Sequence, residues 1–180
     1  MGDSRPVLPG RCYWVIPERF LAGGFPYNPG IDNPHDFLHC LLDNGIDAFI
    51  DLTEEDELVH YQPVLASLTN RDIIYTRFAI VDYSVPELAE MQQIVTRINT
   101  LLEAGRRIYL HCRGGIGRTG TTVACWLRSQ GFSGDAALAE LAKLFSVSNA
   151  ARFTSSPETE EQRDFVKNFV SAESKPSAAG

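Results

Sequence analysis

The stretch RRIYLHCRGGIGRTGTTVACW, residues 106–126, decides the fold of this 180-residue sequence. Its apolar run IYLHC is typical of a short buried strand, and the residues from 118 to 130 indicate a helix. Three glycines lie between the two, at positions 114, 115 and 117. Because glycine tolerates backbone conformations that other residues avoid, the stretch predicts a sharp turn that joins a strand to a helix.

The segments around this stretch continue the alternation of strands and helices. Two short strands separated near Pro17 are predicted within YWVIPERFLAGG, and further strands in IDAFIDLT, IIYTRFAIV and RRIYLHC. Further helices are predicted after an Asn33 cap with Pro34 in first position, from Pro86, over GDAALAELAKLF, and after a Ser156 cap followed by Pro157. This order predicts an α/β fold with a mostly parallel central sheet and helices on both faces.

The two ends of the chain differ in composition from its interior. We predict one domain over residues 11–172, with a flexible Pro/Gly-rich N-terminus at 1–10 and a flexible small-residue tail at 173–180. The longest apolar runs are far too short to span a bilayer, and the first residues lack the apolar segment of a secretory signal. We therefore expect a soluble, monomeric protein of the cytoplasm.

The net charge of −7, from 16 Lys and Arg against 23 Asp and Glu, limits the partners. A nucleic-acid binder needs a basic face, so we expect neither a nucleic-acid nor a membrane partner. A small site can still be positive within an acidic protein, which leaves a phosphorylated substrate open. The cysteines at positions 12, 40, 112 and 125 have no metal-binding spacing, and we expect thiols, no metal and no cofactor.

The turn after the strand has the composition of an anion site. Cys112 ends the strand, where parallel α/β sheets bind ligands, and the following helix directs its positive end at the loop. A helix N-terminus and nearby cations favour the ionised form of a thiol. The predicted phosphate-binding loop consists of Arg113, Gly114, Gly115, Ile116, Gly117 and Arg118. A loop that holds a dianion beside a thiolate predicts phosphoryl transfer to sulfur.

HCRGGIGRTG resembles the signature of the cysteine-dependent protein tyrosine phosphatases, which is His-Cys, five residues, Arg, Ser or Thr, and Gly. The chain length and segment order resemble the compact dual-specificity branch, which includes the cyclin-dependent-kinase-associated phosphatases, over most of residues 12–172. The resemblance implies that Cys112 is the nucleophile and that Arg118 clamps the phosphate and the transition state. It also implies that Thr119 hydrogen-bonds the sulfur and that His111 supports the loop.

The family carries a general acid on a loop upstream of its cysteine. The matching residue is Asp82 in AIVDYSVPE, thirty residues before Cys112. Asp72 is a competitor, but it precedes its predicted strand and so lies at the wrong end, and Asp51 is a weaker alternative at the carboxyl end of another strand. The acidic run at 54–57 is expected to be solvated, with the alternative that it lines the substrate mouth and repels a second phosphate.

Gln162 matches a glutamine that positions the hydrolytic water in some family members, and its alternative role is that of an exposed helical residue. The predicted reaction is hydrolysis of a phosphotyrosine protein, with phosphoserine, phosphothreonine and small phosphomonoesters open, through a cysteinyl phosphate. One alternative is an inositol phosphate or phosphoinositide phosphatase, which the absence of lysine from the loop disfavours. The other is a non-catalytic phospho-binding module.

Overall fold

The structure of the chain, a computed structural model, describes residues 6–172. Its elements follow in the order β1 (Cys12–Ile16), β2 (Phe20–Gly23), α1 (Asp36–Asp43), β3 (Ala48–Asp51), α2 (Gln62–Leu68), β4 (Ile74–Arg77), α3 (Leu88–Glu103), β5 (Ile108–His111), α4 (Gly117–Ser129), α5 (Gly134–Phe145) and α6 (Glu160–Asn168). A short 3-10 helix at Asn149–Arg152 precedes α6.

The five strands form one sheet in the order β1-β2-β5-β3-β4. Only β1 runs antiparallel to its neighbour, since the other three pairs are parallel. In this register His111 at the end of β5 lies between Gly23 of β2 and Asp51 of β3. The three strands therefore end together, and Cys112 emerges at the centre of the sheet's carboxyl edge. The predicted fold class is confirmed.

Helices cover both faces of the sheet, as predicted. On one face α1 and α2 pack over the side chains of Leu21, Phe49 and Tyr109. On the other face, α3, α4 and α5 pack over the alternate strand residues, which include Ile50 and Leu110, and α6 packs against α4 and α5. Because successive strand residues point to opposite faces, the continuous apolar run of β5 feeds both clusters.

Three helices begin later than the sequence predicts, and α1 and α6 show the physical reason most clearly. Helix α1 begins at Asp36, because Asn33 adopts a left-handed backbone (φ 55°) and its carbonyl accepts from the Asp36 amide in a turn. Helix α6 begins at Glu160 with Thr159 as its cap. The predicted cap, Ser156, donates its hydroxyl instead to the carbonyl of Ile116 at 2.6 Å, which ties this segment to the phosphate loop.

Helix α2 was not predicted from the sequence. It is seven residues long, and Leu65 is its one buried residue, so the helical periodicity that marks longer helices is missing. The longer α3 was predicted from Pro86, and it begins two residues later, at Leu88, after a capping box between Glu87 and Glu90.

The N-terminal segment that the structure describes, residues 6–10, contacts the body of the domain. The carbonyl of Pro6 accepts from Asn44 Nδ2 at 3.1 Å, and the carbonyl of Gly10 accepts from the Asn149 amide at 2.7 Å. The predicted flexibility of 1–5 and 173–180 lies outside the described residues. Within 6–172, no helix has the length and apolar character needed to cross a membrane.

Candidate active site

Cys112 lies at the floor of the loop between β5 and α4. Its side chain is buried, and its Sγ accepts a hydrogen bond from the amide of Gly115 at 3.3 Å. Gly115 has a left-handed backbone (φ 75°), and a Cβ there would lie 2.3 Å from the carbonyl carbon of Gly23. The loop therefore folds tightly against the end of β2, and only glycine fits at this position.

The other three cysteines lie in different surroundings. Burial raises the pKa of Cys12 to about 12, and it also raises the pKa of Cys40 and of Cys125. These thiols stay protonated near neutral pH, and all four cysteines are free. Cys112 is the one cysteine of the four whose sulfur accepts a hydrogen bond from a backbone amide of the loop before α4.

His111 fixes the backbone immediately before the loop. Its ring is buried, with Nε2 2.6 Å from the Tyr61 hydroxyl and Nδ1 3.1 Å from the Cys112 carbonyl. Because a carbonyl only accepts, Nδ1 carries the proton, and Nε2 accepts from the tyrosine. Burial lowers the pKa of His111 and outweighs the opposing effect of Asp51, which keeps the ring neutral. Both ring nitrogens of His111 are thus used in hydrogen bonds within the protein.

Arg118 is buried in the first turn of α4 and is paired with Glu57. Its Nη1 lies 2.7 Å from Glu57 Oε2, and its Nη2 lies 2.8 Å from Oε1. The Arg118 hydrogen bonds hold the pKa of Glu57 below its usual value, although burial opposes this. The prediction that the acidic run is solvated is therefore wrong for Glu57, because a buried guanidinium needs a counter-charge. Its alternative, a place at the mouth of the site, holds for this residue.

The remaining edge of the Arg118 guanidinium is available to an anion. Its Nε is buried and has no hydrogen-bond partner among residues 6–172. Nη1 also donates to the Ile80 carbonyl at 2.9 Å, so Glu57 and this carbonyl hold the side chain from one side. A guanidinium can bind two phosphate oxygens through parallel hydrogen bonds from Nε and Nη2. In this structure Asp82 Oδ1 lies 3.0 Å from Nη2, so a phosphate bound at this edge would replace that contact. Arg118 can thus hold Glu57 and a phosphate together.

Asp82 reaches the same guanidinium from the loop after β4. Its Oδ1 lies 3.0 Å from Arg118 Nη2, and its side chain is 41% exposed.

The two competitors of Asp82 for the role of acid lie elsewhere. Asp72 pairs with Arg106 away from the loop. Asp51 is fully buried. Burial alone would raise the pKa of Asp51, but His111 and the hydrogen bonds donated to the carboxylate hold that pKa below its usual value. Only Asp82 of the three is partly exposed at the mouth of the site.

Thr119 departs from the prediction. Its hydroxyl donates to the carbonyl of Gly23 at 3.3 Å and makes no hydrogen bond to Cys112. A hydroxyl has a single proton, so the Thr119 proton is used in joining α4 to the end of β2. In this structure the sulfur accepts from the amide of Gly115 instead.

Gln162 lies inside the protein, so its interpretation as an exposed helical residue is wrong. Its Oε1 accepts from the amides of Glu158 and Thr159 at 3.0 and 3.1 Å, and its Nε2 donates to the Ser84 carbonyl at 3.2 Å. The side chain thus connects the start of α6 to the loop that carries Asp82. The sequence pattern indicated the position of Gln162 but not these contacts.

Arg113 forms the outer lip of the loop. Its side chain is 57% exposed, with Nε 3.4 Å from Glu57 Oε1. It borders a groove of about 400 Å³ whose lining includes Arg11, Tyr27 and Val59. Among residues 6–172, no cluster of three His, Cys, Asp or Glu side chains is suited to a metal ion.

Known proteins share this fold. A model of the family described as "Polymorphic toxin system, DSP-PTPase phosphatase" matches residues 26–132. Protein 067L of Invertebrate iridescent virus 3, whose name describes a tyrosine phosphatase, is 30% identical over 120 residues, which are 63% of this chain and 44% of that protein. The chain spans about half or less of the length of the curated relatives that it matches.

Two solved structures illustrate the likeness. The crystal structure of Tk-PTP in the active form has a TM-score of 0.64 at 25% identity, over 83% of this chain and 89% of that one. The kinase-associated phosphatase KAP has a TM-score of 0.65 at 23% identity, over 82% and 83%, which shows the shared fold. Because the family model covers more than half of the sequence and includes the cysteine loop, the chain belongs to the DSP-PTPase phosphatases of polymorphic toxin systems.

Proposed function

We propose that this protein is a phosphomonoester hydrolase of the protein tyrosine and dual-specificity phosphatase type, acting through a cysteinyl phosphate. The observation that carries the proposal is the unpaired Nε edge of the buried Arg118, which belongs to the same loop as Cys112. A planar donor pair, backbone amides and a sulfur in one loop suit the three equatorial oxygens and the phosphorus of a phosphoryl group.

In the first step, the Cys112 thiolate attacks phosphorus in line with the bond to the leaving oxygen. Arg118 and the loop amides hold the equatorial oxygens, where negative charge is concentrated in the transition state. Asp82 donates its proton to the leaving oxygen as the P–O bond breaks, so an alcohol or phenol departs. The partly exposed position of Asp82 at the mouth of the site, where a leaving group would emerge, supports this role.

In the second step, water attacks the phosphorus of the cysteinyl phosphate and the P–S bond breaks. The electron pair of that bond returns to Cys112 as the thiolate. The Asp82 carboxylate, left ionised by the first step, takes a proton from the water and is then ready for another cycle. This chemistry uses only side chains of the chain itself.

The proposed substrate is a phosphotyrosine-containing protein, with phosphoserine or phosphothreonine proteins and small phosphomonoesters as further substrates. Glu57 lies beside the only additional cation of the loop, Arg113, and so disfavours a second phosphate there. We further propose that the protein is a cytoplasmic monomer with no nucleic-acid or membrane partner. A reducing compartment suits an attacking thiolate, and the four cysteines are free.

The proposal is tested by phosphate release from purified protein in reducing buffer with a metal chelator. The panel contains p-nitrophenyl phosphate, phosphotyrosine and phosphoserine peptides, a phosphoinositide and a nucleotide. We expect the fastest release from the aryl phosphate and the phosphotyrosine peptide, and none from Cys112→Ser. Binding of the phosphotyrosine peptide without any release would instead establish a non-catalytic phospho-binding module. Faster release from the phosphoinositide would overturn the proposed substrate class.

A further inference from the structure

Glu158 has a carboxylate that the reaction described above does not use. It lies just before α6, and a Cβ built on Gly117 would lie 2.7 Å from its Oε2. Gly117 is the last glycine of the phosphate loop and precedes Arg118. The Glu158 carboxylate therefore rests on the phosphate loop itself, where Gly117 has no side chain to exclude it.

The Glu158 carboxylate is free to accept hydrogen bonds. This carboxylate forms no ion pair or hydrogen bond with any of residues 6–172. Elsewhere in Glu158, the backbone amide donates a hydrogen bond to Gln162 Oε1. Partial burial and the charge of Asp82 raise the pKa of Glu158, while Arg118 opposes the shift. Glu158 is thus within electrostatic reach of both residues that border the phosphate position.

Gln162, which the family resemblance associates with the attacking water, lacks a free acceptor. Its single oxygen already accepts from two backbone amides, those of Glu158 and Thr159. A carbonyl oxygen has two lone pairs, so this acceptor is saturated. A water that attacks phosphorus points its own lone pair at phosphorus, and its two protons must be held by acceptors. Gln162 cannot supply one without breaking hydrogen bonds that hold the start of α6.

We propose that the carboxylate of Glu158 holds the attacking water during hydrolysis of the cysteinyl phosphate. This inference rests on the proposed function. Gln162 is then a positioning residue, because its oxygen holds the Glu158 amide while its Nε2 holds Ser84 in the loop of Asp82. One buried amide side chain therefore sets the spacing of the two carboxylates that face the water.

The two carboxylates have different tasks in this step. The water oxygen forms a bond to phosphorus, the P–S bond breaks, and its electron pair returns to Cys112. One water proton passes to the ionised Asp82. The other stays on the new phosphate oxygen and donates a hydrogen bond to Glu158 while the water is oriented. Inorganic phosphate, the thiolate and a protonated Asp82 result.

The test is a rapid-mixing measurement with p-nitrophenyl phosphate on the full chain, comparing the wild type with Glu158→Ala and Glu158→Gln. For Glu158→Ala we expect a burst of about one nitrophenolate per active site, followed by steady turnover lowered about 10- to 100-fold, because the water is misplaced but the first step is intact. Phosphoenzyme trapped by acid should accumulate. Glu158→Gln keeps an acceptor oxygen and should lose less. Glu161→Gln removes the same charge from an exposed α6 residue and should match the wild type.

The burst separates this role from a structural one. A misfolded site loses the burst and the steady rate together, and that result for both Glu158 variants would overturn the proposal. Equal steady rates and equal phosphoenzyme levels in Glu158→Ala and the wild type would overturn it as well, while the proposed function stands. If the wild type itself releases no nitrophenolate, the proposed function fails, and this inference fails with it.

Discussion

Glu57 binds both terminal nitrogens of Arg118, with Oε2 2.7 Å from Nη1 and Oε1 2.8 Å from Nη2. The carboxylate approaches from the side opposite the unpaired Nε edge, so it orients the guanidinium without competing for the phosphate. The arginine is almost fully buried, and Glu57 is the carboxylate that binds both of its terminal nitrogens, so we expect the rotamer of Arg118 to depend strongly on Glu57. Glu57 is therefore expected to matter for catalysis without touching the substrate.

Replacing Glu57 with Gln should reduce kcat/KM for p-nitrophenyl phosphate by about 10- to 100-fold, since a hydrogen bond between charged groups contributes about 1.5–3 kcal/mol. Vanadate binding should weaken in parallel, because both ligands depend on the same guanidinium. Asp56→Asn is the matched control, as its exposed side chain belongs to the same acidic run and should leave both values unchanged. An unchanged kcat/KM in Glu57→Gln would show that Ile80 and Asp82 hold Arg118 unaided.

Asp82→Asn should slow the first step in proportion to the basicity of the leaving group. A general acid contributes about 10²- to 10⁴-fold, and that contribution shrinks when the leaving oxygen departs readily without a proton. We expect the full loss on phosphotyrosine peptides and a smaller one on aryl phosphates with electron-withdrawing substituents. The measurement is kcat/KM over a series of substituted phenyl phosphates. A loss of equal size across the series would remove Asp82 from the role of acid.

Gly115 and Gly114 are adjacent but should respond differently to alanine. At Gly115 the backbone is left-handed, and a Cβ would lie 2.3 Å from Gly23, so the loop must distort. At Gly114 a Cβ would lie 3.6 Å from its nearest neighbouring atom, which is an ordinary van der Waals contact. We expect Gly115→Ala to lose nearly all activity and Gly114→Ala to retain most of it. Comparable activity in the two variants would contradict the described loop conformation.

The buried His111 should make stability depend on pH near neutrality. Its folded-state pKa is lowered from 6.5, so below that pH the unfolded chain binds a proton that the folded chain does not. Unfolding free energy should therefore fall as the pH drops below about 6.5, with a slope of up to about 1.4 kcal/mol per pH unit. Urea unfolding between about pH 7.5 and 5 measures this slope.

The control for this dependence compares two histidines. His111→Gln should lose most of the slope, whatever its overall stability, because the titrating ring is gone. His60→Gln, at an exposed position, should keep it. Identical slopes in the wild type and in His111→Gln would show that the pH dependence arises elsewhere.

Sequence reasoning reaches furthest where the position of a residue depends on local spacing. Cys112 and Arg118 belong to one loop, and the strand before it and the helix after it are read from apolar pattern and glycine alone. Asp82 was identified from the family resemblance, as the acid on a loop upstream of the cysteine, and its position after a strand is compatible with that role. Its contact with Arg118 agrees with that position.

The residues that escaped prediction depend on contacts between distant segments. Glu57 meets Arg118 across 61 residues of sequence, through a connection that contains the unpredicted α2. In the sequence, nothing distinguishes Glu57, the last residue of the run EEDE, from the three acidic residues before it. Ser156 was assigned to a helix cap because local preference favours serine there, yet a loop carbonyl 40 residues away takes its hydroxyl. Tertiary contacts decided these positions.

The central claim is that phosphate passes through the sulfur of Cys112. The most direct test is an acid quench of the protein during turnover of p-nitrophenyl phosphate, followed by mass spectrometry of its peptides. We predict one phosphate on the peptide that contains Cys112, and neither phosphate nor turnover in Cys112→Ser. Turnover by Cys112→Ser at the wild-type rate, or wild-type turnover with no phosphate on this peptide, would contradict the account.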